Sequence, residues 1–284
     1  MDVLYKTLIY DGQISLSILE TTDIVNKAIF YHKLTPLTSA TLGRTMTASL
    51  FMASTLKNEG DRLSVTIAGD GVGGKVIVSC DSNLSVRGYI ENPKAELPLK
   101  PNGKLDVASC VGKGRLTIVR NMGMKEPYTG SSEIISGEIA EDFSYYYALS
   151  EQQPTAMALG VKVQNDRCVG AGGIVIQTMP FCSEEAIKKA EKLISEFTDI
   201  STKIQNYGAK GIISEYFSEY TFNEYYPKYK CVCSNDYILS MLYAIGKDEL
   251  YDIILEQGKV EISCEYCDKV YTYYKQDIDK LFKV

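Results

Sequence analysis

Short runs of alternating apolar and polar residues, broken by glycine, fill the first 180 residues of the chain. Alternation with a period of two places every second side chain on one face of an extended backbone, so each run is predicted to be a strand. The strands that this pattern predicts are 63–68, 75–80, 116–119 and 172–177.

Two stretches in the same region have helical spacing instead. Residues 38–57 place apolar side chains three and four apart, which predicts a buried helix with Thr38 or Ser39 as its N-cap. A second helix is predicted over residues 138–150. Strands and helices are thus interleaved, and we expect residues 1–180 to form one mixed domain, either α+β or α/β.

The pattern changes after Pro180. Residues 183–197 predict an exposed helix that begins at the N-cap Ser183 and carries acidic residues in its first turn. The stretch up to Lys230 holds eight aromatic residues between Tyr207 and Tyr229, mixed with polar residues and without a clean period. We expect residues 181–230 to be a helical linker.

The last 54 residues form a third segment with its own pattern. Two short helices are predicted over 235–244 and 248–257, followed by two β-like runs that flank Cys264 and Cys267. The predicted organisation is a mixed N-terminal domain over 1–180, a helical linker over 181–230 and a small C-terminal domain over 231–284.

Composition and net charge limit the structural and functional classes to which this protein can belong. Hydrophobic residues make up 45% and charged residues 23% of the 284 residues, which excludes a disordered or fibrous chain. The net charge of −6 gives no general attraction to phosphate backbones, so we expect no nucleic-acid partner. The first residues lack the basic cluster and apolar core of a signal peptide, and no apolar run approaches the roughly 18 residues of a membrane span. We expect a cytoplasmic protein without a membrane partner.

The spacing of four of the eight cysteines points to a metal site. They occur as Cys231-Val232-Cys233 and Cys264-Glu265-Tyr266-Cys267, and each short spacing lets two thiolates converge on one ion. Four thiolates suit tetrahedral zinc, and the spacings differ from those of ferredoxin clusters. The sequence therefore predicts one zinc ion, bound by these four cysteines in a C-terminal zinc-binding domain.

Zinc in so small a domain often serves only to stabilise the fold. The spacing of Cys231 and Cys233, however, is one residue shorter than in most zinc knuckles, and a disulfide across one residue is strained and readily reduced. Residues 231–284 carry ten acidic and six basic side chains, which disfavours nucleic-acid binding by this domain. Cys80, Cys110 and Cys168 lie among apolar, strand-like residues and are predicted to pack in the core, while Cys182 has no predicted role.

Three other patterns resemble catalytic or nucleotide-binding sites but are better explained by structure. Residues 69–74 read GDGVGG, but the alternating run that follows predicts a glycine-rich hairpin, not the helix that a phosphate-binding loop opens. The single histidine, His32, lies at a predicted helix end and is interpreted as a capping or packing residue. Glu138, Glu141 and Asp142 lie near a helix start, where carboxylates favour the helix dipole.

Several longer stretches resemble one known family from end to end, the thirty-three-kilodalton heat-shock proteins, which are redox-regulated bacterial chaperones. The stretches that carry this resemblance are CVCS at 231–234, CEYC at 264–267, TLGRTMTASL at 41–50, RGYIENP at 87–93, GKLDV at 103–107, VGKGRLTIVRNMGMKEPYTG at 111–130, SGEIAEDFSYYYALSEQQPTAMALGV at 136–161, AGG at 171–173 and GKDEL at 246–250.

The resemblance implies a non-enzymatic, ATP-independent holdase that binds unfolding client proteins under oxidative stress. In such a protein the zinc-bound, reduced form is inactive. Oxidation to Cys231–Cys233 and Cys264–Cys267 disulfides releases zinc, unfolds the C-terminal domain, loosens the linker and favours a homodimer. The four cysteines would then be both the metal ligands and the redox-active residues.

Two other functions stay open at this level. A thiol–disulfide oxidoreductase using Cys264 and Cys267 would need one exposed cysteine of low pKa. A scaffold with structural zinc would keep its metal and its activity when it is oxidised. Catalytic turnover of a small disulfide would distinguish an oxidoreductase from a holdase. Release of the metal by peroxide would distinguish a holdase from a scaffold with structural zinc.

Overall fold

The computed structural model describes residues 1–282, which fold into two compact units, one from Met1 to Lys230 and one that begins at Cys231. The first unit contains two sheets. Among the described residues, no helix combines the length and hydropathy needed to cross a membrane.

The first sheet has the order β10-β1-β2-β9-β8, and all neighbouring strands are antiparallel. A tight turn at residues 10–13 joins its first two strands and fixes their register, with Ile9 opposite Ile14. The strands are β1 (Val3–Ile9), β2 (Ile14–Glu20), β8 (Thr155–Gln164), β9 (Arg167–Thr178) and β10 (Asn223–Tyr225).

The second sheet has the order β11-β5-β4-β3-β6-β7, in which β11 is parallel to β5 and the other neighbours are antiparallel. Its inward positions alternate with polar ones, as the sequence predicts for strands with one buried face. The strands are β3 (Arg62–Gly69), β4 (Val76–Asp81), β5 (Ser85–Ile90), β6 (Gly114–Asn121), β7 (Tyr128–Glu133) and β11 (Lys228–Tyr229).

Helix α2 (Pro36–Ala53) packs against strands of both sheets and is buried except at Pro36 and Arg44. A helix rich in Thr and Ser can be buried this fully because the hydroxyls bond to carbonyls of the preceding turn, as Thr45 does to Thr41 at 2.8 Å. Smaller helices complete this layer: α1 (Thr22–His32), α3 (Val107–Val111) and α4 (Ala140–Tyr146), followed by a π-helical turn (Tyr147–Glu151).

Two helix predictions need correction. The helix predicted over 38–57 begins at Pro36 and ends at Ala53, and its N-cap is Thr35, whose hydroxyl accepts from the N–H of Thr38 at 3.2 Å. Pro36 can begin the helix because the first turn needs no N–H partner. The helix predicted over 138–150 begins only at Ala140, because Ile139 has a left-handed backbone (φ 63°) and the Asp142 carboxylate accepts hydrogen bonds from the N–H groups before it.

Helices α5 (Glu184–Ser195) and α6 (Ile200–Tyr216) cover the outer face of the first sheet. Ser183 caps α5 as predicted, accepting from the N–H of Ala186 at 3.3 Å. Helix α6 is broken at Gly208, where φ is 65° and ψ is 172°, and a carboxylate oxygen of Glu20 accepts from the next N–H at 2.8 Å. Residues 181–230 thus pack as part of the first unit in this structure.

The second unit surrounds a small apolar core of its own. Its fully buried side chains include Leu242, Leu250 and Ile278, one from each of the three helices described in this unit. The elements are α7 (Asn235–Ile245), α8 (Lys247–Gln257), β12 (Val260–Ser263), β13 (Val270–Tyr273) and α9 (Lys275–Leu281). The mixed α/β class with a C-terminal cluster of four cysteines is confirmed.

Candidate metal centre

A tight hairpin positions the second pair of cysteines. Strands β12 and β13 pair up to Ser263 opposite Val270, and the chain between them turns back on itself. The N–H of Cys264 donates to the carbonyl of Lys269 at 2.9 Å, and the N–H of Cys267 donates to the carbonyl of Cys264 at 3.2 Å. These bonds hold both sulfurs on one side of the turn, as in a zinc knuckle.

The first pair lies in the extended segment that precedes α7. Ser234, the residue after Cys233, caps that helix by accepting a hydrogen bond from the N–H of Tyr237 at 3.2 Å. This bond fixes the backbone next to Cys233. The Sγ atoms of Cys231 and Cys264 are 3.6 Å apart, and those of Cys233 and Cys267 are 3.4 Å apart. The structure therefore brings together the four cysteines that were predicted from the sequence.

The four sulfurs fit a tetrahedral metal ion. All of them lie within 4.8 Å of one another. Zinc–sulfur bonds of about 2.3 Å place neighbouring sulfurs of a tetrahedron about 3.8 Å apart, which lies inside this limit. Within residues 1–282 this is the only group of three or more His, Cys, Asp or Glu side chains close enough to share an ion.

One residue that sequence reasoning missed contacts the cluster. The hydroxyl of Tyr271 donates to Sγ of Cys233 at 3.3 Å. Burial raises the pKa of Cys233, but the hydrogen bond from Tyr271 and those with the other thiols outweigh it and bring this pKa down to about 7. Burial raises the pKa values of Cys264 and Cys267. The hydroxyl of Tyr271 thus stabilises the thiolate form of Cys233.

The other cysteines have a different setting. Cys80, Cys110 and Cys168 are buried, and burial raises the pKa of each thiol, to about 12 for Cys168. Cys182 is half-buried beside the apolar face under α5. The three buried thiols pack in the core, as the sequence predicts, and a neutral thiol is a poor nucleophile.

The glycine-rich loop at residues 69–74 joins two antiparallel strands, which confirms the hairpin prediction. Its backbone lies directly on the end of α3, where the N–H of Gly71 donates to the carbonyl of Val111 at 3.0 Å. A Cβ atom at Gly69 would lie 1.9 Å from the same oxygen. The glycines are therefore required by backbone packing.

The remaining polar residues singled out by the sequence have structural contacts. His32 is the last residue of α1, and its Nε2 lies 3.5 Å from the hydroxyl of Tyr229. Glu138 forms ion pairs with Arg44 at 2.9 Å and with Lys100, so charge pairing explains its position rather than the helix dipole. Glu141 does lie in the first turn of α4.

Comparison with known proteins identifies the family. Residues 2–274 match the family model described as Hsp33 protein. The chain is 40% identical to the 33 kDa chaperonin of Desulforamulus reducens over 99% of this chain and 97% of that protein, and 39% identical to the 33 kDa chaperonin of Bacillus velezensis over 99% and 98%. The crystal structure of the 33 kDa chaperonin (heat shock protein 33 homolog) from Thermotoga maritima superposes with a TM-score of 0.89 at 32% identity, covering 98% of this chain and 97% of that chain. The chain therefore belongs to the Hsp33 family of chaperones.

Proposed function

We propose that this protein is a redox-regulated, ATP-independent holdase whose switch is the four-cysteine cluster. The observation that carries the proposal is the convergence of Cys231, Cys233, Cys264 and Cys267 within 4.8 Å, in a chain that belongs to a chaperone family. In this proposal the reduced form binds one zinc ion and is inactive, and the oxidised form binds unfolding clients.

Zinc, when bound, keeps the four sulfurs as thiolates and supplies about 10–16 kcal/mol of apparent binding free energy, more than the usual net stability of a domain. The second unit has a small core of its own, with only seven buried apolar residues among those described. A domain of this size is marginal without such a crosslink. Loss of the thiolates is therefore expected to unfold residues 231–282.

Peroxide can remove the thiolates in pairs. For each pair, one S–S bond forms while two electrons pass to the O–O bond of one hydrogen peroxide, which breaks and, with two protons from solvent, leaves as two water molecules. We propose the pairs Cys231–Cys233 and Cys264–Cys267. Their short connections keep each pair close after the domain unfolds, whereas Cys231 and Cys264 lie 33 residues apart in the chain.

Residues 181–230 are the proposed metastable linker. In the described structure they cover the first sheet with Phe197, Ile204 and Ile212, which pack on β-strand residues such as Leu16 and Ile174. Release of the linker would expose this apolar face to an unfolding client. The aromatic residues from 207 to 229 differ in exposure: Phe217 and Tyr229 are buried, while Tyr207, Tyr225 and Tyr226 are exposed.

Cys264 and Cys267 are half-buried and belong to the four-cysteine cluster, which counts against a thiol–disulfide oxidoreductase, because that enzyme needs an exposed thiolate. We place the protein in the cytoplasm, whose reducing conditions keep the switch closed. The proposed partners are unfolding proteins and, after oxidation, a second copy of the chain. No nucleic-acid or membrane partner is proposed.

The test is a peroxide titration of the anaerobically purified, zinc-loaded protein with a metallochromic dye. We expect one zinc ion to be released per chain and to be rebound after reduction and metal resupply. Peptide mapping of the oxidised protein should show the two proposed disulfides. Retention of zinc through complete loss of free thiols would leave the site purely structural and would contradict the proposed switch.

A further inference from the structure

The same linker covers an edge of each sheet. β10 pairs with β1, where Leu4 is opposite Tyr225, and β11 pairs with β5, where Tyr229 is opposite Val86. We call residues 223–230 the edge segment. A peptide bond joins Lys230, its last residue, to Cys231, the first proposed metal ligand.

The edge segment is attached to β1 mainly through its backbone. All three residues of β10 are exposed, so their side chains contribute little burial. At the second sheet, the N–H groups of Lys228 and Lys230 donate to the carbonyls of Leu84 and Val86 at 3.0 and 2.9 Å. Main-chain pairing of two or three residues is marginal by itself. The β1 edge therefore accepts a strand with little dependence on its sequence, whereas the β5 edge also buries one side chain of its strand, Tyr229.

Release of the edge segment would leave two unpaired strand edges next to apolar surface. The carbonyls of Leu84 and Val86 lose their donors, and Leu4, Tyr5 and Lys6 on β1 lose their pairing with residues 223–225. An unpaired edge beside apolar side chains is a template for an added strand. The one feature that all unfolding proteins share is an extended backbone with free N–H and C=O groups.

We infer that the edges of β1 and β5 are docking sites for an extended segment of an unfolding client, which adds as a strand in place of the edge segment. This inference rests on the proposed function. The native occupant supports it, because β10 shows that the β1 edge accepts a short strand with exposed side chains, and β11 shows that the β5 edge accepts one that buries a single side chain, Tyr229. Main-chain recognition would let one chaperone hold clients of unrelated sequence.

Hydrogen exchange of the full chain, read by mass spectrometry, tests the inference in three states. These are the reduced zinc-loaded protein, the peroxide-oxidised protein, and the oxidised protein holding thermally unfolding citrate synthase. Among residues 4–6 and 85–86, the amides that face the edge segment should exchange at least tenfold faster after oxidation and at least tenfold slower again when the client is added. The edge strand β7, which the linker does not pair with, is the internal control and should not change.

Three other outcomes would contradict the inference, and one of them would also contradict the proposed function. If the oxidised protein suppresses aggregation while these amides stay fast, the client binds elsewhere and the inference is wrong, although the proposed function stands. If protection returns without client as protein concentration rises, a second copy occupies the edges and the inference is wrong. If oxidation neither exposes the edges nor produces a client complex, the proposed function fails and the inference fails with it.

Discussion

Tyr229 is the main side-chain anchor of the edge segment, and its removal should activate the protein without oxidant. Its side chain is only 6% exposed, its ring centroid lies 5.5 Å from that of Tyr31, and its hydroxyl donates to the carbonyl of Gly88 at 3.3 Å. Truncation of a large buried aromatic side chain costs about 3–5 kcal/mol. Because the neighbouring β10 side chains are exposed, this cost should fall mainly on attachment of the segment.

At about 1.4 kcal/mol for each factor of ten, Tyr229→Ala should increase opening of residues 223–230 by at least two orders of magnitude. Hydrogen exchange of the reduced, zinc-loaded variant measures this directly. The same sample should suppress aggregation of citrate synthase before any peroxide is added. Tyr229→Phe, which loses only the hydroxyl, should cost about 1 kcal/mol and give an intermediate effect.

Tyr226→Ala is the matched control, because Tyr226 lies in the same segment but is 54% exposed, and its hydroxyl donates only to Glu224 at 2.8 Å. Its effect should stay within about 0.5 kcal/mol. Equal exchange in Tyr229→Ala and Tyr226→Ala would refute the anchoring role. Fast exchange in Tyr229→Ala without aggregation suppression would refute the link between linker release and activity.

Three further predictions concern the cluster and the first unit. Cys264→Ser should abolish stoichiometric zinc binding and unfold residues 231–282, whereas Cys182→Ser should leave metal content and circular dichroism unchanged. Tyr271→Phe removes the hydrogen bond to Cys233 and should weaken zinc binding about tenfold or more in a chelator competition; unchanged affinity would contradict the role given to this hydroxyl. Burial raises the pKa of Asp2 to about 7. Between about pH 4 and 7 the folded protein therefore keeps a proton on Asp2 that the unfolded chain has lost. The free energy of unfolding should fall by up to about 4 kcal/mol as pH rises through that window. Urea unfolding of the first unit at several pH values should show this slope, and Asp2→Asn should flatten it.

Local patterns account for the parts of the fold that the sequence predicts well. The strands alternate because one face is buried, and the cysteine hairpin needs only the residues between Val260 and Tyr273. The alternating strands and the cysteine hairpin are both determined by residues that lie close together in the sequence. The capping of α2 was mispredicted because the Thr38 hydroxyl, which looks like an N-cap, instead donates to the carbonyl of Pro93 at 2.8 Å, 55 residues away.

The edge strands could not be predicted, because nothing in their own sequence marks them. β10 has three exposed residues and no alternation, and its partner Leu4 lies more than 200 residues earlier. Tyr271 was missed for a related reason. It belongs to an alternating strand and looks like a core residue, and only the folded hairpin brings its hydroxyl to Cys233.

The measurement that tests the central claim most directly is light scattering of thermally unfolding citrate synthase in the presence of this protein. Three samples of one preparation are compared: reduced and zinc-loaded, peroxide-oxidised, and oxidised then reduced again with zinc. We predict that only the oxidised sample suppresses scattering, and that suppression appears at the peroxide level that releases zinc. Equal suppression by the reduced and oxidised samples, or none by either, would contradict a redox-regulated holdase.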